Sequence, residues 1–206
     1  IDAARARSVD SIVFYQFGTD SAGVAALSRL AAQLPVVALV KPVSSPQVNN
    51  VTVDPAPAVR DILHRRLAEG RRDFAYLGHL AHLQGGDSAD ASAAKAVYRC
   101  FLATLKQAGI APAIRLSPQD SLPNGDAIAE AEDYLAREAE QLPHGAVLFA
   151  KFGTLARRLT DVPRDFGIVG YTERRATLES CRGRATMLYA GLELLSREAV
   201  RLLRAS

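Results

Sequence analysis

The sequence predicts a doubly wound α/β fold, and three observations predict it. Strand-length apolar runs, rich in β-branched and aromatic residues, recur along the chain. Between them lie stretches whose apolar residues repeat every three or four positions, mostly closed by Gly or Pro. The alternation continues almost to the last residue, and strand, helix, strand repeated in this way builds parallel sheets with right-handed crossovers.

Residues 9–17 (VDSIVFYQF) read as a buried strand, and Val24, Leu27, Ala31 and Leu34 form one helix face closed by Pro35. Residues 36–40 (VVALV) and 51–53 (VTV) are short strands separated by a Ser/Pro/Asn loop at 42–50. Val59, Ile62, Leu63 and Leu67 stripe a helix stopped by Gly70, and 74–77 (FAYL) is a strand ending at Gly78. Val97, Cys100, Phe101, Thr104 and Leu105 share a helix face that ends at Gly109. A strand at 113–116 precedes a helix striped by Ile128, Ala131, Leu135 and Leu142 and ended by Pro143. Strands at 146–150 (AVLFA) and 166–169 (FGIV) flank a short helical stretch around 154–160. Leu188, Leu192, Leu195, Ala199 and Leu202 form a last helical stripe. Residues 79–90 and 117–126 carry the least pattern. Both follow strands, which puts them at the carboxyl edge of a sheet, where such folds bind ligands.

The chain has 206 residues, 49% hydrophobic and 23% charged, enough for a substantial core and unlike a disordered chain. No apolar run reaches the roughly 18–20 residues of a membrane span. With 25 basic and 22 acidic residues the net charge is +3, too slight to argue for nucleic-acid binding by these residues themselves. Cys100 and Cys181 are read as two free, reduced thiols of a cytosolic protein. The only methionine is Met187 and the sequence opens on Ile1, so an upstream segment is expected.

The catalytic and phosphate-binding signatures G-x-G-x-x-G, Walker A, G-x-S-x-G and H-E-x-x-H are absent. His79 and His82 have a spacing that could hold a metal on a helix, but Gly78, Gly85 and Gly86 point to a loop, and no metal or cofactor is expected. His64, Arg65 and Arg66 with Arg71 and Arg72 read as cations complementing the dipole at a helix end. Asp126, Glu130, Glu132, Asp133, Glu138 and Glu140 read as a solvated face with Arg137. No nucleophile–base pair can be picked out, and the chain is not expected to be an enzyme.

Three segments, in order, resemble the LacI/GalR family of bacterial transcription regulators. The first is Val9-Asp10-Ser11-Ile12-Val13-Phe14, followed by Leu34-Pro35-Val36-Val37. The second runs from Val53-Asp54 through Leu67-Ala68-Glu69-Gly70-Arg71-Arg72 to Phe74-Ala75-Tyr76-Leu77-Gly78. The third is Val162-Pro163-Arg164-Asp165-Phe166-Gly167-Ile168-Val169-Gly170-Tyr171, which also separates this family from periplasmic sugar-binding proteins of the same fold.

The resemblance implies two doubly wound parallel-sheet subdomains flanking a ligand cleft, the periplasmic-binding-protein-like type. One would comprise 1–53 with 187–206, the other 54–186. The family's helix-turn-helix headpiece and first strand–helix unit would precede Ile1, and its final strands would follow Ser206. The implied function is the ligand-sensing core of a cytoplasmic, homodimeric DNA-binding regulator or repressor, with operator DNA read through that headpiece and no membrane partner. A solute-binding protein of a sugar transporter is the alternative.

The implied effector is a small polar molecule, a sugar or sugar derivative. Tyr15, Gln16 and Phe17 would face it from one side, and His79, Lys151, Phe152, Tyr171, Thr172 and Glu173 from the other. Aromatic faces suit sugar rings and polar neighbours fix hydroxyls, while Lys151 and His79 favour an anionic group such as a phosphate or acid. The chain departs from the family in having Val97 where an arginine commonly grips sugar hydroxyls. Lys151-Phe152 replace a usual Asn-Asp pair, with a shortened connection on to Val162, and Thr172-Glu173 stand where Asp is frequent.

Overall fold

The computed structural model describes residues 9–15, 21–39, 43–80, 83, 89–118, 125–150, 153–162, 164–172, 175–189 and 191–205. Gln16, Phe17, His82, Lys151, Phe152 and Glu173 lie outside the described residues. The first elements are β1 (Ile12–Tyr15), α1 (Ser21–Ala31), β2 (Val36–Leu39), β3 (Asn49–Val51), α2 (Ala56–Ala68), β4 (Phe74–His79), α3 (Ala89–Gln107) and β5 (Ala113–Ser117). They are followed by α4 (Gly125–Ala139), β6 (Val147–Ala150), α5 (Gly153–Leu159), β7 (Gly167–Thr172), α6 (Arg175–Ser180), β8 (Thr186–Tyr189) and α7 (Leu192–Ala205). These elements form two compact units, divided between Val53 and Asp54, with Ala89 and Asp90 at the start of α3 and the chain from Gly191 onward grouped with the first unit.

The first unit is a parallel sheet in the order β1-β2-β3 with helices on both faces. Side chains of successive strand residues point to opposite faces, so β2 serves two cores at once. Val36 and Ala38 meet Leu27 and Leu30 of α1, while Val37 and Leu39, with Val51, meet Leu195 and Ala199 of α7. Asn50 fixes the loop before β3. Its Oδ1 accepts from the Val43 amide at 2.7 Å, and its Nδ2 donates to the Val43 and Val48 carbonyls at 3.1 and 3.2 Å. The strand therefore begins at Asn49, two residues ahead of the expected 51–53.

The second unit is a five-stranded sheet in the order β5-β4-β6-β7-β8, and every neighbouring pair is parallel. From β4 the chain steps one way to β5 and then back across to β6, β7 and β8. Right-handed crossovers in opposite directions place their helices on opposite faces. Phe74, Tyr76, Val147, Phe149 and Val169 accordingly pack with Val59, Ile62 and Leu63 of α2 and Val97, Phe101 and Leu105 of α3. Ala75, Leu77, Leu148, Ala150 and Ile168 pack with Leu135 and Ala139 of α4 and Leu155, Ala156 and Leu159 of α5. Helix ends follow their chemistry: Gly70 (φ 81°) and Gly109 (φ 70°) take the left-handed conformation just past α2 and α3. Arg72 Nη1 donates to the Leu67 carbonyl at 3.2 Å, so this member of the basic cluster does serve the end of α2.

Three expectations need correction, and one helix was not expected. Leu188 belongs to β8, not to the last helix, because Tyr171 pairs with it in register, and 186–189 go with the second unit's sheet. α6 was not legible because it buries no residue. α3 and α4 begin at Ala89 and Gly125, inside stretches read as loops, while His79 and Ser117 still belong to strands. Glu132 is not solvated: it is 3% exposed. Both cysteines are free, Cys181 buried and Cys100 half-buried. Among the described residues no helix is long and apolar enough to cross a membrane, and no group of His, Cys, Asp or Glu is gathered as a metal site.

Candidate functional site

In an open parallel sheet a crevice opens between the carboxyl ends of the two neighbouring strands at which the connections reverse direction. Here those strands are β4 and β6, and the last residue of β4, the first of the two switch strands, is His79. Its register partner is Ser117, the last residue of β5. His79 is 2% exposed and Ser117 fully buried, and His79 Nδ1 lies 2.8 Å from Ser117 Oγ. The hydroxyl can donate or accept. If it donates, the ring proton sits on Nε2; if Nδ1 donates, Nε2 is an acceptor. Either way the bond locks the plane of the imidazole at this switch strand.

The pleat decides which other groups share this position. His79 continues the alternation of Ala75 and Leu77 and so lies on the face covered by α4 and α5; Ser117 shares it as the continuation of Ala113. Thr172, the last residue of β7 and 6% exposed, follows Ile168 on that same face. It stands two strands from β4, about 10 Å away by strand spacing. Tyr171, half-buried, points to the opposite face with Val169. The expected residues His79 and Thr172 are thus on one face of one edge, and Tyr171 is on the other. Tyr15 ends β1 in the first unit, in register with Leu39. Val97, in the position of the family's arginine, is a 6%-exposed core residue of α3 beside Phe101.

The short helix α5 opens just past the β6 edge and is held by polar contacts. The Thr154 hydroxyl donates to Glu132 Oε1 of α4, Arg158 Nε lies 3.0 Å from Glu132 Oε2, and Arg158 Nη1 pairs with Asp133. On its inner side Ala156 abuts Gly170 of β7, leaving no room for a side chain there. Sequence reasoning missed Ser117 and Glu132. Ser117 was findable, since AIRLS keeps strand alternation one residue beyond the assigned end. Glu132 was hidden in a run of carboxylates.

No family model and no curated protein matches the chain. Solved structures do. The trehalose repressor from Escherichia coli superposes with TM-score 0.69 and 16% identity, covering 99% of this chain and 73% of that one. A LacI-family regulator, CcpA, from Weissella paramesenteroides with bound glucose gives TM-score 0.72 and 18% identity over 100% of this chain and 74% of that one. The fold is that of the LacI-family regulators. A further member of that family, from Enterococcus faecium with bound ribose, gives TM-score 0.70 and 16% identity over 98% of this chain and 72% of that one.

Proposed function

We propose that this chain is the ligand-sensing core of a LacI/GalR-type DNA-binding transcriptional regulator whose effector, a sugar or sugar derivative, modulates operator affinity. The observation that carries the reading is the buried His79–Ser117 couple at the carboxyl end of the switch strand β4, in a fold whose solved examples include regulators with bound glucose and ribose. A few fixed polar groups in such a position orient a polyhydroxyl ligand. Thr172 and Tyr171 are proposed contacts, with Lys151 and Phe152, which follow β6 in the chain, Glu173, which follows β7, Tyr15, the last residue of β1, and Gln16 and Phe17 after it. Lys151 and His79 favour an effector with an anionic group. The response is linkage: the effector shifts the regulator between states only by its differential affinity for them. The protein acts in the cytoplasm as a homodimer, because two-fold operators are read by two-fold proteins, and it performs no catalysis.

A calorimetric screen of glucose, glucose 6-phosphate and gluconate tests the reading. Binding of at least one sugar, the anionic ones preferred and the preference lost in Lys151→Ala, is the expected result. A neutral sugar bound best and unaffected by Lys151→Ala refutes the anionic effector. Absence of binding to a wider panel of sugars and sugar derivatives refutes the sugar-sensing core.

A further inference from the structure

We propose that Glu132 is a positioning residue for the effector site, acting through α5. This inference rests on the reading of the sheet's carboxyl edge as that site. Glu132 sits on α4 at 3% exposure, where a carboxylate is tolerated only if it is paired and hydrogen-bonded. Both of its oxygens are engaged, Oε1 by the Thr154 hydroxyl and Oε2 by Arg158 Nε at 3.0 Å, and both partners belong to α5. That helix has seven residues, too few to be stable alone, so packing and these contacts decide where it lies.

The placement of α5 bears on the site at two points. Its first residue, Gly153, directly follows Lys151 and Phe152 in the chain, so the helix anchors one end of that segment. Its inner face meets β7 at Gly170 through Ala156, next to Tyr171 and Thr172. A shift of α5 therefore reaches the β6 and β7 edges together. Glu132 touches neither edge in sequence, yet it holds the element that sets both. Asp133 engages the same Arg158 from the exposed side and completes the hold.

The same helix supplies a control. Glu138 of α4 pairs with Arg115 Nε at 3.2 Å, but Arg115 belongs to β5 and not to α5. The experiment compares Glu132→Gln with Glu138→Gln in the intact chain. Thermal unfolding, calorimetry against glucose, glucose 6-phosphate and gluconate, and amide hydrogen exchange of α5 and the end of β7 are measured on both. Glu132→Gln is expected to weaken the best-binding sugar about tenfold or more, as befits a lost charge-assisted contact, and to speed exchange in α5. Glu138→Gln is expected to leave affinity within about twofold and α5 exchange unchanged.

Thr154→Val, a milder change at a residue otherwise exposed, follows Glu132→Gln in direction, whereas Thr154→Ser keeps the hydroxyl and the wild-type affinity. Equal affinity losses in Glu132→Gln and Glu138→Gln overturn the proposal, because the effect is then general destabilisation. Unchanged α5 exchange in Glu132→Gln also overturns it. If the wild type binds none of the sugars, the effector reading fails by itself, and the exchange data still decide whether Glu132 holds α5.

Discussion

Gly170 lies on β7 where α5 and β8 crowd closest, and Gly170→Ala measures how tightly. A methyl there would stand 2.6 Å from Ala156 Cβ and 2.8 and 2.9 Å from Met187 Sδ and Cε. Carbon atoms in contact sit about 3.5–4.0 Å apart, so roughly an ångström must be found. Met187 is unbranched and can swing away. Ala156 cannot: its Cβ is rigid with the α5 backbone and fully buried, so the helix itself must lift. Overpacking of this kind costs about 1–3 kcal/mol, offset by the roughly 0.4–1 kcal/mol that Gly→Ala gains by restricting the unfolded chain. The net expectation is a loss of about 1–2 kcal/mol, or a Tm lowered by roughly 2–8 °C.

Gly167 on the same strand is the internal reference, because the nearest atoms to a methyl there are all of Val147, at 3.4 Å (Cγ2), 3.8 Å (Cα) and 3.9 Å (Cβ), ordinary contact distances. Gly167→Ala should be neutral or slightly stabilising. Urea unfolding followed by circular dichroism compares the two, and Gly170→Ala combined with Ala156→Gly should recover part of the loss as a favourable coupling energy. A Gly170→Ala protein as stable as wild type, or a double variant without coupling, refutes the packing argument.

Two further expectations follow from other parts of the molecule. Burial, with Tyr98 beside it, pushes the Tyr76 hydroxyl pKa far above its ordinary value. The folded state therefore keeps a proton that the unfolded chain releases near pH 10, and stability falls as pH rises past about 10. Urea midpoints between roughly pH 9 and 11 should fall less steeply in Tyr76→Phe, and an identical decline would show that Tyr76 is not responsible. Sedimentation velocity at micromolar concentration should show a dimer; a monomer counts against the two-fold assembly.

What could be read from the sequence follows from how local its cause is. β2, β4 and β6 were legible because both of their faces are covered, which makes every residue of VVAL, FAYL and VLFA apolar. α1 to α4 were legible because a single buried stripe repeats at helical spacing and a Gly or Pro ends it. β8 was not, since TMLY is half-buried throughout and a leucine in it falls in phase with the stripe of α7. The start of β3 goes with the Asn50 side chain reaching seven residues back to Val43, a polar contact that the apolar pattern does not show. At the site the same division holds. His79 could be placed just past a strand end from sequence, but that it belongs to the strand and is buried against Ser117 depends on β5 lying beside β4. Glu132 looks like its neighbouring carboxylates until α5 is laid across it.

The two units carry cores of very different size, and this predicts the order in which they open. Among the described residues the first unit buries two small apolar clusters whose buried members are no larger than leucine, with Phe14 only partly buried against one of them. The second buries two larger ones that include Tyr76, Phe101, Phe149 and Phe166. Entropy lost per ordered residue is similar in both, whereas apolar area removed from water is not, so the first unit has the thinner margin. Its core also hangs on α7, from which Leu195 and Ala199 supply the cover for Val37, Leu39 and Val51. Leu195→Ala removes a 5%-exposed side chain at a cost of about 2–5 kcal/mol, comparable with the whole stability of a small unit. Hydrogen exchange in a urea series should show β2, β3 and α7 opening first in the wild type and far earlier in this variant. Leu135→Ala, deep between α4 and the five-stranded sheet, should instead lower the midpoint of β4, β6 and α4. Equal shifts across all peptides in both variants would mean that the two cores melt as one, and the argument from separate core sizes would fail.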